Sequence, residues 1–167
     1  MLPYKVFNRS MWSDDHEWDL HKIMKTNNKT GFRCFHNIVE AMDVECPCYI
    51  ALVQAEEPKT INWEIVYNRM KIIRLEKWTD EDEIALELFI KSVIDSEELD
   101  KLTPNPIYVS AAYPIIADIW NAAVSFANKT VDSIWATSIE EEASIYTDAY
   151  NTFIRRFHNW IVERKFS

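Results

Sequence analysis

The chain holds a single glycine, Gly31, among 167 residues. Average usage of about 7% would place roughly a dozen in this length. Glycine is the default residue for the positive-φ backbone of tight hairpins, phosphate loops and strained catalytic elbows. A Walker loop and a dinucleotide fingerprint each need several glycines at fixed spacing, and neither is present. The shortage argues for helices and against glycine-dependent enzyme families. It excludes functions without naming one.

Helix signals dominate the second half. Thr79-Asp80-Glu81-Asp82 has the spacing of an N-cap with an acid at N3, and opens a helix running to Val93. Ile84, Leu88, Phe89 and Val93 form its expected apolar stripe. Ser110, followed by Pro114 in or near the first turn, opens a second helix to about Asn128. Ser138-Ile139-Glu140-Glu141 reads as a capping box for a last helix ending near Lys165, with acids at its positive end and Arg164 and Lys165 at its negative end.

The first half is less regular. Ser13-Asp14-Asp15 reads as the cap of a helix through Met24, and Phe32 to Met42 as a second helix. Cys48 to Val53 fits a buried strand or a helix, and Ile61 to Leu75 satisfies both periodicities. The expected fold is therefore mostly α: a C-terminal helical bundle, and a less regular N-terminal half with room for a small sheet. One domain over 1–167 is expected, with a mixed half (1–78) and an acidic helical half (79–167).

Charge separates these halves. Residues 1–78 carry 11 basic and 11 acidic groups, whereas residues 79–154 carry 3 basic and 15 acidic. Such a field repels nucleic acid and acidic membranes and attracts a basic partner. No apolar h-region occurs over Met1 to Ser13, so a cytoplasmic protein without a signal peptide is expected. Three cysteines imply no disulfide framework. The apolar run Ile107 to Ala127 is nearly long enough for a bilayer. Pro114, Asp118 and Asn121 inside it favour a buried helix instead.

Two sets of residues have chemistry to offer. Cys34, His36, Cys46 and Cys48 form the one zinc-like set, although the one-residue gaps within each pair are short for a shared ion. The acids Glu81, Glu83, Glu97, Glu98, Asp100, Glu140, Glu141 and Glu142 offer a partner-binding surface or, between facing helices, a Mg2+ site. Among these eight acids only Glu97-x-x-Asp100 has the three-residue spacing that places a pair on one helix face. No nucleophile stands in an activating context. A seam of Ile139, Ala143, Tyr146, Tyr150, Phe153, Phe157 and Trp160 repeats at alternating spacings of four and three, which suits core packing first and a partner helix or homodimer second.

The leading expectation is an acidic helical protein-interaction module. It would act as an inhibitor or adaptor on a basic protein surface, with mimicry of DNA as the extreme case, and without catalysis, cofactor, nucleic acid or membrane. One alternative is a small Zn- or Mg-dependent enzyme or metal-stabilised domain. Another is the subunit of a structural homo-oligomer.

Overall fold

The segments on either side of Asn62 and Trp63 fold back on each other as two long antiparallel strands, β5 (Tyr49–Ile61) and β6 (Glu64–Lys77). The computed structural model describes residues 2–7, 11–13, 16–20, 22–26, 31–44, 47–93 and 114–167. It divides into two compact units. One comprises residues 1–79 with Phe166, the other residues 80–165 with Ser167.

In the first unit the long hairpin is the centre of a four-stranded antiparallel sheet. β1 (Tyr4–Phe7) pairs with β5, and β4 (Met24–Lys25) pairs with β6, giving the order β1-β5-β6-β4. A short pair, β2 (Trp12–Ser13) with β3 (His16–Glu17), and one helix, α1 (Ile38–Val44), complete the described elements. The chain is mixed α/β, and the expectation of a mostly α fold is corrected. Strands occupy 12–13, 16–17 and 24–25, where a helix from Ser13 to Met24 is predicted. The helix predicted over 32–42 starts only at Ile38.

The hairpin turns without glycine. Asn62 and Trp63 both lie in the left-handed region, at φ 48° and 71°. Positive φ at both central residues is the type I′ pattern, whose twist matches that of the flanking strands. Asparagine tolerates this conformation, whereas a bulky residue is uncommon there. Gly31 has a different duty, at φ 64° beside β6. A Cβ there would come within 2.6 Å of Val66 Cγ2. This close approach lets the next residue join the sheet. Phe32 N–H donates to the Tyr67 carbonyl at 2.8 Å, and Tyr67 N–H donates to the Phe32 carbonyl at 2.9 Å. Tyr67 thereby directs its backbone groups away from β5. Its partner Pro58 then sits in a non-hydrogen-bonded pair, where the missing N–H costs no ladder bond.

The core of this unit collects Phe7, Trp18, Phe32, Ala51, Val53, Met70 and Ile72. Trp18 meets Phe32 edge-on at 4.8 Å between ring centroids. Lys5 is only 3% exposed. Its ammonium donates to the Arg33 carbonyl at 2.8 Å and lies over the Trp18 ring at 5.4 Å, which compensates part of the cost of burying a cation. Val6 and Ile50 register opposite each other and alternate with the core residues Phe7 and Ala51, so they point to the other face of the sheet. The buried Ile38, Val39 and Met42 belong to α1, which packs beside β1.

The second unit is built from α2 (Asp80–Val93), α3 (Pro114–Ser133) and α4 (Ile139–Phe166). Ser138 caps α4, its hydroxyl accepting from Glu141 N–H at 3.2 Å. The Glu141 carboxylate reaches back to Thr137, accepting from its backbone N–H at 2.7 Å and its hydroxyl at 2.6 Å. These bonds hold the Glu141 carboxyl below the ordinary glutamate range. Aromatic rings of the α4 seam lock onto the other helices. Phe89 of α2 meets Phe157 edge-on at 4.9 Å and stacks on Trp160 at 5.1 Å. Trp120 of α3 stacks with Tyr150 at 6.3 Å, and Phe126 lies 5.4 Å from Phe153. The seam from Tyr150 to Trp160 thus serves the unit's own packing, while Ile139 and Ala143 face solvent.

Candidate functional site

α2 exposes more than its sequence suggests. It buries Asp82, Leu86 and Ile90, a set spaced by four. The predicted stripe is corrected on two positions, since Ile84 is 59% and Leu88 62% exposed. Both lie one turn apart on one face. The acids Asp80, Glu81 and Glu87 are exposed on the same helix, and Glu83 is half-buried. The outward side of α2 is therefore apolar and acidic together.

Asp82 does not belong to that surface. Its side chain is 4% exposed, accepts from Arg164 Nε at 2.7 Å, and takes a second charge-assisted bond from Lys165 Nζ. The basic end of α4 is thus engaged by α2. Arg164 also donates to the Glu81 carbonyl at 3.3 Å.

Glu87 has no such compensation. Asp118 of α3 is close enough to feel its charge, and the Asp118 carboxyl is pushed up first by burial and then by Glu87. Among the described residues neither carboxylate has an ion-pair or hydrogen-bond partner. Like charges held together without a cation are an unfavourable arrangement that a cationic partner would relieve.

Among the other predicted partner-binding acids, Glu140 and Glu142 are exposed in the first turn of α4, and Glu141 is taken up by the cap. Glu97, Glu98 and Asp100 lie outside the described residues. Of the predicted zinc set, Cys34 and Cys48 are half-buried thiols, His36 is exposed, and Cys46 lies outside the described residues. No group of three or more His, Cys, Asp or Glu side chains converges among the described residues.

The first unit contains a feature with no linear motif. Residues 33–36, the outer side of α1 and the start of β6 enclose a cleft of about 600 Å³. Cys34 and Phe35 line it from the first segment, Glu40 and Asp43 from α1, and Glu64 and Ile65 from β6. Cys34 also neighbours Tyr67, whose hydroxyl is pushed up by burial and by that thiol.

Comparison of the chain with protein-family models, with curated proteins and with solved structures found no match. No helix among the described residues is long and apolar enough to cross a membrane.

Proposed function

We propose that the protein is an acidic interaction module whose α2 helix docks on a basic, amphipathic surface of another protein. It would act there as an inhibitor or adaptor. The single observation that supports this most is that Glu87, on the helix that exposes Ile84 and Leu88, lies beside Asp118 of α3 with neither carboxylate paired among the described residues. A purely solubilising surface has no need of exposed aliphatic residues between its acids. An interface uses both. Apolar side chains supply affinity, and charge supplies orientation and association rate. Occupying DNA-binding surfaces through phosphate mimicry is the extreme form of this reading.

The test uses two synthetic helical peptides with one apolar face, one bearing lysines on the polar face and the other glutamates. The lysine peptide should bind, and the glutamate peptide should not. Affinity should fall as salt rises, because exposed charges are screened beyond about 8 Å at physiological ionic strength. Glu81→Gln with Glu87→Gln, or Leu88→Ser alone, should each weaken binding about tenfold. Salt-insensitive binding, or binding untouched by these changes, would sink the proposal.

A further inference from the structure

The cleft of the first unit has three walls from separate elements and a volume of about 600 Å³. That lies within the range of small-molecule sites, roughly 300–1,000 Å³. Its lining is chemically divided. Phe35 and Ile65 offer apolar surface from two walls. Four lining residues carry formal charge at neutral pH. The carboxylates of Glu40, Asp43 and Glu64 outnumber the Arg33 guanidinium, and Glu40 and Glu64 have no ion-pair or hydrogen-bond partner among the described residues. The excess charge is therefore negative, and it comes from α1 and β6, two of the three walls.

This combination selects among occupants. An anion meets two uncommitted carboxylates. A bare metal ion needs several converging ligands, and no group of three converges among the described residues. A small hydrophilic cation gains only a solvent-facing ion pair, which is weak on its own. A cation with an apolar body satisfies both parts of the lining. We infer that the cleft binds a small organic monocation, a protonated amine carried on an aromatic or branched aliphatic body. The amine takes the carboxylates of Glu40 and Glu64, and the body covers Phe35 and Ile65. This site is independent of the α2 face and stands if that reading fails.

The experiment titrates the full chain, labelled with 15N, with three probes followed by amide NMR. Phenethylammonium has both charge and ring. Phenylacetate has the ring with the opposite charge, and ethylammonium has the charge without the ring. Saturable shifts at residues 33–36, 40–43 and 64–65 are expected with phenethylammonium, and affinity about tenfold or more weaker with each of the others. Glu40→Gln combined with Glu64→Gln should weaken phenethylammonium by a similar factor while the spectrum stays dispersed, since both side chains are exposed. Ile65→Thr keeps a strand-forming residue and should weaken it severalfold through the apolar half alone. Equal binding of phenylacetate, shifts confined to other residues, unchanged affinity in the double variant, or no binding of phenethylammonium up to about 10 mM would overturn the inference.

Discussion

Asp82 sits in the first turn of α2, where the unpaired N–H groups of the helix favour negative charge. That effect alone would act as well on Asp80 or Glu81. What separates Asp82 is its burial between two cations from the far end of α4, of which Lys165 is itself nearly buried. Removing one member of a buried ion cluster leaves the others desolvated without compensation. Asp82→Asn should cost about 2–3 kcal/mol in urea unfolding, below the 3–5 kcal/mol of fully buried pairs because Arg164 can rehydrate. Arg164→Ala should cost about 1 kcal/mol, since Lys165 still serves the carboxylate. A near-zero cost for Asp82→Asn would show that the cations find water freely. In the sequence Asp82 is one acid in an unbroken run of four, and its partners lie 82 and 83 positions away. No local pattern could have singled it out. The same holds for Glu40 and Glu64, which become neighbours of one cleft only after the hairpin has formed.

At the level of elements the helices were the legible part. The Ser138 cap and the Thr79-Asp80 start are local chemistry, read correctly from a few adjacent residues. The β5–β6 hairpin was not legible, because its turn breaks the usual rule. Trp63 is 98% exposed and left-handed, at a position where glycine or asparagine is expected. The shortage of glycine therefore led away from a hairpin that the chain builds without it. Left-handed backbone costs an ordinary L-residue roughly 1–2 kcal/mol, and glycine returns roughly 0.5–1 kcal/mol of that through its freer unfolded chain. Trp63→Gly should thus raise stability by about 0.5–1 kcal/mol in urea unfolding, because the exposed ring has little burial to lose. A loss of stability would mean that the indole makes contacts worth more than the strain. The ambiguity of Ile61 to Leu75 between helix and strand also has a structural cause. The buried Val66, Met70 and Ile72 follow a strand period, but the pairing shifts between Leu52 and Val53, and exposed Ile65 and Ile73 add apolar residues on the solvent side.

For the molecule as a whole, pH acts through groups whose proton affinity changes on folding. His158 on α4 is half-buried, and burial lowers its folded affinity for a proton below the ordinary value near 6.5. The unfolded chain then binds more protons than the folded one between the lowered value and about 6.5, so stability rises with pH across that window. It is fully present above the window and is lost as pH falls through it. Asp118 has the opposite sign. Its carboxyl is raised, so the contribution is present in acid and is lost as pH rises through the folded value. Relief of self-repulsion in a chain of net charge −9 also favours the folded state on acidification. Comparison with His158→Gln isolates the histidine. Wild-type stability should fall relative to the variant as pH is lowered from 7 to 5, read from thermal midpoints in constant salt. Parallel curves would show that His158 is as well solvated in the folded chain as in the unfolded one.

By itself the sequence determined the acidic second half, the positions of α2 and α4, the cap of α4, and the exclusion of glycine-loop chemistry. Each rests on residues within a turn or two of one another, or on composition alone. Only the tertiary structure decided that β5 and β6 pair, that Asp82 is buried while Ile84 and Leu88 are exposed, and that Glu40 and Glu64 line one cleft. Those outcomes depend on which distant segments remove which side chains from water, and local periodicity carries no information about the partner.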